Sequence, residues 1–299
     1  MVKRHEASFR GTYDSEIFYQ TWTLAKKDDV KGTVIVTHGL AEHSDCYHSL
    51  AEHLAEKGWN TLAWDLRGHG QSSGKRGYVA EIEDFSKDLK ILSEIASEHH
   101  KGPRVLFGHS LGGQICLRAL LDYGDMTYSA LALSSPALGL SVKVPAFKEK
   151  LAHIAADWLP RLTMHNELDY RDLTRDEDHL ATYANDPLRQ DKISPALYLG
   201  MLKNFSLIKE RAREIHLPTL MQLAGVERIV STKTSEEVFE GLGSEVKVLR
   251  IYPESHHEIY NDLDKDSARE DLVEFLERVR KLASGPANKK KINLNAARK

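Results

Sequence analysis

Cysteine is nearly missing from this chain: Cys46 and Cys116 are the two in 299 residues. That is too few for a disulfide framework, and they lack the paired spacing of a structural zinc site. Long apolar runs are missing as well. No stretch approaches the roughly 20 apolar residues of a membrane span. The opening Met1-Val2-Lys3-Arg4-His5-Glu6 is not followed by the apolar core of a secretory signal. Charge of one sign is not in excess either, with 41 Lys+Arg against 44 Asp+Glu and a net charge of −3. At 41% hydrophobic and 8% aromatic residues, the composition excludes collagen, coiled coil and wholesale disorder. These absences leave a globular chain, expected in a reducing, cytoplasmic setting, with contact at the periphery of a membrane still open.

The charges are unevenly placed. Residues 285–299 hold Lys289, Lys290, Lys291, Arg298 and Lys299 without an acid and follow Ser284, so a basic, disordered tail is expected there. The remainder is acidic, which argues against nucleic acid as the main partner. Oligomeric state is left open by these features.

Short apolar runs alternate with helical patterns, the signature of βαβ units and a mostly parallel sheet with helices on both faces. Candidate strands are Thr33–Thr37, Asn60–Asp65, Arg104–Phe107, Tyr128–Ser134, Pro218–Ala224 and Val246–Tyr252. Most are apolar without alternation, as strands covered on both faces must be. Ser8–Arg10 and Glu16–Thr23 read as an antiparallel hairpin. Phe85, Leu89, Leu92 and Ala96 fall at helical spacing, as do Leu272, Phe275, Leu276 and Val279.

From Pro136 to Arg213 the rhythm breaks, with helical patterns, turns and charges but no strand-like run. An insertion of this length is usually functional. The expected organisation is a core of residues 1–135 and 214–284 with a helical cap at 136–213. Within the cap Phe147, Leu151, Ile154 and Trp158 form an apolar stripe between Pro145 and Pro160. The pattern fits a helix packed on the core as well as an apolar lip over a binding site or a membrane-facing patch.

Gly108-His109-Ser110-Leu111-Gly112-Gly113 sits where a strand hands over to a helix at Gln114–Asp122. That context gives GxSxG its mechanics: the turn is too tight for bulky residues two before and two after the serine, so Ser110 stands above the sheet. Serine needs a base to become a nucleophile. The 15 histidines leave the choice to position, and the loop after the last strand offers His256 and His257. An orienting acid belongs after the preceding strand, where Glu227 stands. A surface Glu227 paired with Arg228 is the simpler alternative. Backbone N–H groups of Leu111 and of Leu40, in the loop after the first core strand, are candidate oxyanion donors, with Gly39 giving the backbone room.

Together these residues resemble the monoacylglycerol lipase and lysophospholipase family of α/β-hydrolases, the serine aminopeptidase S33 or hydrolase-4 group. The resemblance rests on HGLAEHS at 38–44, Asp65 to Ser72, GHSLGG at 108–113, Ser134 to Leu138, Asn185-Asp186-Pro187-Leu188 and HHEIYND at 256–262. It implies an α/β-hydrolase fold and selects His257, the histidine directly before Glu258, as the base. The third triad member is aspartate in most members and Glu227 here. The Arg-Tyr that often ends the first motif is Cys46-Tyr47 here. Gly39 and Glu42, with Phe147, Leu151 and Ile154 of the cap, are the candidate substrate-binding residues. The expected activity is hydrolysis of a small lipid ester, with no cofactor and no metal. Lysophospholipase, thioesterase or acyltransferase chemistry would use the same triad, and a non-catalytic lipid-binding module would need none of it.

Neither of two further patterns adds a cofactor site. Asp65 to Lys75 lacks the third glycine of a dinucleotide turn at the required place and the Ser or Thr after Lys of a phosphate loop, so bracing of the neighbouring loop is expected. His38, His43 and His48 lack metal-ligand spacing; His43, His48 and His53 are expected to be solvated or locally paired. Cys116 is expected to be a small core residue.

Overall fold

The apolar runs become strands in the computed structural model, which describes residues 2–25, 30–99, 102–142, 144–183 and 185–284. The basic tail, 285–299, lies outside the described residues. Strands β1 (Val2–Arg10) and β2 (Glu16–Leu24) form the antiparallel hairpin. Then come β3 (Gly32–Thr37), β4 (Trp59–Trp64), β5 (Arg104–His109) and β6 (Ala130–Ser134). A short pair, β7 (Met164–His165) and β8 (Lys192–Ile193), precedes β9 (Thr219–Ala224) and β10 (Lys247–Tyr252). Eight strands build one sheet in the order β1-β2-β4-β3-β5-β6-β9-β10, parallel from β4 onward.

Successive strand residues point to opposite faces, and both faces are covered. On one side Val34, Val36, Phe107 and Leu220 meet α1 (His48–Glu56) and α8 (Lys265–Ser284). On the other, Ile35, Leu106, Leu131 and Met221 meet α2 (Glu83–His99) and α3 (Leu111–Tyr123). Cys116 is buried on α3, as expected for a small core residue.

Between β6 and β9 run α4 (Ala146–Trp158), α5 (Glu177–Tyr183) and α6 (Pro195–Arg211). The Ser194 hydroxyl caps α6 by accepting from the Leu197 N–H at 3.2 Å, with Pro195 suited to the first turn. Leu197, Met201 and Ile208 of α6 join the core beside α3, where the Gln114 amide donates to the Met201 carbonyl at 3.1 Å. Helix α7 (Thr232–Gly241) covers the sheet between β9 and β10.

Three expectations change. The first strand begins at Val2 rather than Ser8, because the polar run before Ser8 is held by pairing with β2 and not by burial. The region expected to lack strands contains β7 and β8, each too short to show periodicity. Helix α3 starts at Leu111, directly after the serine, rather than at Gln114.

Candidate active site

Ser110 occupies the turn from β5 to α3 with φ 50° and ψ −118°, a conformation that costs a non-glycine residue of order 1–3 kcal/mol. Its surroundings hold it there. The Ser110 N–H donates to the Ser134 carbonyl at 3.0 Å, and its own carbonyl accepts from Gln114 at 3.2 Å and Ala137 at 2.9 Å. A Cβ at Gly108 would lie 2.7 Å from the Gly112 carbonyl oxygen, and one at Gly112 would lie 2.0 Å from that of Thr37. Only glycine fits either place. The free N–H groups and partial positive charge of the first turn of α3, beginning at Leu111, flank the serine.

Glu227 follows β9, and His257 follows β10. Their loops are laced together by Gly225 N–H donating to Tyr252 at 2.8 Å and Val226 N–H donating to Ser255 at 3.0 Å. Glu227 Oε2 lies 2.8 Å from His257 Nδ1, while Oε1 accepts from Ile229 at 2.9 Å and Val230 at 3.2 Å. The alternative pairing with Arg228 is not made: Arg228 donates to Asp172 at 2.9 Å. His256 instead donates from Nδ1 to the Arg171 carbonyl at 2.9 Å.

Burial alone would raise the Glu227 pKa, but His257 and the backbone donors outweigh it and lower it. Burial likewise disfavours the His257 cation, yet the carboxylates of Glu227, Glu258 and Glu42 prevail and lift its pKa above 6.5. A carboxylate on Nδ1 fixes the proton there and leaves Nε2 as the basic atom of the neutral ring.

The loop after β3 closes on the same place. A Cβ at Gly39 would come within 3.2 Å of both Ser110 Cβ and His109 Cδ2, so Gly39 permits the close approach. Ala41 has φ 70°, and the neighbouring Leu40 is half-buried against the core. Glu42 is buried, accepting from the Gly39 N–H at 2.6 Å and from the Tyr47 hydroxyl at 2.9 Å. Its carboxylate braces the loop from within. Phe147, Leu151 and Ile154 stand on the exposed face of α4, at 64, 58 and 49% exposure, outside this buried ensemble. The reading of α4 as a helix with its stripe packed on the core is therefore set aside.

Sequence reasoning missed several groups. The His109 ring packs 4.9 Å from that of His257, and burial, then His257, pushes its pKa down to about 3. Arg189 and Glu258 form a buried pair at 3.3 Å, with Arg189 also 3.7 Å from Glu42. Burial and the facing Glu258 raise the Glu42 pKa; in Glu258 burial is outweighed by Arg189, and the pKa falls. Position next to His257 marks Glu258, and position after Asn185-Asp186-Pro187-Leu188 marks Arg189, although neither residue type alone points to the site.

His43 corrects an expectation. It is buried rather than solvated, and its partner is distant in sequence: Nε2 lies 2.8 Å from Asp186 Oδ2. One atom each of His43, Cys46 and Asp186 falls within 4.8 Å of the others, a spacing open to a metal. Burial pushes the Cys46 thiol up, whereas a metal takes the thiolate.

Residues 28–264 match the family model described as serine aminopeptidase, S33. A monoacylglycerol lipase of Mycolicibacterium smegmatis is 30% identical over 275 residues, 91% of this chain and 97% of that protein. Phospholipase YtpA of Bacillus subtilis is 27% identical over 250 residues, 82% of this chain and 94% of its own. The crystal structure of Paleococcus ferrophilus monoacylglycerol lipase superposes with a TM-score of 0.78 at 30% identity, covering 93% of this chain and 99% of that one. Strand order, the strand–serine–helix turn and these similarities agree: the chain belongs to the serine aminopeptidase S33, or hydrolase-4, family of α/β-hydrolases.

Proposed function

We propose that this member of a family of carboxylic-ester hydrolases cleaves fatty-acyl esters of the monoacylglycerol type through a Ser110, His257 and Glu227 triad. The carrying observation is the 2.8 Å contact between Glu227 Oε2 and His257 Nδ1, with Oε1 anchored by two backbone donors. His257 Nε2 takes the Ser110 hydroxyl proton as Oγ bonds to the ester carbonyl carbon. The oxyanion rests on the N–H groups of Leu40 and Leu111. Collapse breaks the carbon–oxygen bond to the alcohol, which leaves with the proton from His257. Water, losing a proton to the same nitrogen, then releases the fatty acid and restores Ser110.

Residues 136–213 act in this reading as the cap over a core of 1–135 and 214–284. The exposed stripe of Phe147, Leu151 and Ile154 forms the lip through which the acyl chain enters, and touches the lipid surface. Gly39 and Glu42 shape the head-group end. Among the described residues no helix is long and apolar enough to cross a membrane, so peripheral contact is the mode proposed.

Ser110→Ala should lower monoolein turnover by about 10⁴-fold or more and abolish labelling by a fluorophosphonate, with Glu227→Gln about 10³–10⁴-fold down in a folded protein. Persistent turnover in Ser110→Ala would overturn the assignment, and bound lipid recovered unaltered from wild type would favour a binding module. The similarity to a phospholipase supports a second reading, a lysophospholipase. Faster turnover of lysophosphatidylcholine than of monoolein or an acyl thioester would select it.

A further inference from the structure

The Arg189 side chain is 4% exposed and lies between three segments that are far apart in sequence. Its guanidinium nitrogens are 3.3 Å from both carboxylate oxygens of Glu258 and 3.7 Å from Glu42 Oε1, with its carbon 3.6 Å over the Tyr183 ring. Glu42 holds the Gly39 N–H in the loop after β3, and Glu258 directly follows His257. Glu258 is itself anchored, its N–H donating to the Leu173 carbonyl at 2.8 Å and its Oε2 accepting from Asn261 at 2.8 Å. One buried cation thus faces two buried acids, one beside the proposed oxyanion donors and one beside the proposed base; it holds Glu258 ionised, while the Glu42 pKa stays raised, at about 7. The like charges would otherwise repel in a medium of low dielectric.

We propose that Arg189 is a positioning residue that locks the loop carrying Gly39 and Leu40 to the loop carrying His257, and ties both to the segment between β6 and β9. This rests on the triad reading above. Arg189 acts through its two carboxylate partners.

Two properties separate this role from simple stabilisation. Loosening the loops should lower kcat with little change in KM, because a misplacement near 1 Å costs on the order of 100-fold. The charge balance around His257, which faces Glu227, Glu258, Glu42 and His109, should also move its protonation. Arg189→Met leaves extra negative charge, favours the imidazolium and shifts the acid limb of kcat/KM to higher pH. Glu258→Gln removes a carboxylate that stays ionised beside His257, keeps the cation and shifts that limb to lower pH.

The experiment follows monoolein turnover against pH for wild type, Arg189→Met, Glu258→Gln and the double variant. Expected are a kcat loss of about 10–100-fold in Arg189→Met, opposite shifts of the acid limb in the two single variants, and partial recovery of kcat in the double. An unchanged kcat and acid limb in Arg189→Met, or a loss confined to its thermal midpoint, overturns the proposal. Should Arg189→Met fail to fold, Glu258→Gln still decides, since an unmoved acid limb there is equally fatal. Ser110→Ala runs alongside: turnover in that variant defeats the triad reading, whereas a dead Ser110→Ala with a wild-type-like Arg189→Met defeats only the positioning role.

Discussion

Helices α3 and α4 are both 13 residues long, and both carry an apolar stripe. Their surroundings are opposite. Every residue from Leu111 to Leu121 in α3 is buried, whereas α4 turns Phe147, Leu151, Ile154 and Trp158 to the outside, the last at 81% exposure. The difference lies in how each is attached. Helix α3 leaves β5 through a turn with no slack, the backbone of the first core strand touching Gly112, and is then covered by α2 and α6. Helix α4 is part of a long insertion, and the exposed Leu159, Leu162 and Met164 that follow it extend its apolar surface. Apolar periodicity predicts which face of a helix is greasy, but the covalent path decides what that face meets.

The sharpest test of this contrast is Gly112→Ala at the start of α3. Its new Cβ would meet the backbone carbonyls of Thr37 and His38 at 2.0 and 2.6 Å, and neither can give way without moving the loop that holds Gly39. Ester turnover is expected to vanish and the thermal unfolding midpoint to fall. A variant with normal turnover would mean that the turn has slack after all. Next in size is Leu117→Ala, fully buried on α3, which should cost about 2–5 kcal/mol in a denaturant titration. A cost within about 0.5 kcal/mol, the range of ordinary surface substitutions, would erase the distinction between the two helices from the α3 side.

The same contrast explains how far the sequence could be read. Buried parallel strands announce themselves as apolar runs, so β3, β4, β5 and β9 lie within a residue or two of their expected limits. The GxSxG turn was legible because sterics impose glycine at Gly108 and Gly112. Glu227 could be named from its position after a strand; position narrowed the base to His256 or His257, the family resemblance chose His257, and the two meet at 2.8 Å. What stayed hidden depends on tertiary placement: β7 and β8 are two residues each, His43 finds Asp186 across 143 residues, and Arg189 gathers carboxylates from two loops. A charged residue reads as solvated until the chain around it is folded.

The smallest expected effect lies on α4. Trp158→Ser removes a large apolar side chain that the rest of the protein barely covers, so its stability should stay within about 0.5 kcal/mol of wild type. Turnover of a water-soluble short-chain ester should also be unaffected, because such a substrate needs no lipid surface. Monoolein presented in phosphatidylcholine vesicles is different: if the exposed stripe meets the bilayer, losing an aromatic suited to the interface should slow turnover several-fold and weaken sedimentation with the vesicles. Equal rates on vesicles would remove Trp158 from any membrane contact. A stability loss as large as that of Leu117→Ala would go further, since it would mean that α4 packs its stripe in solution and that the two helices are alike.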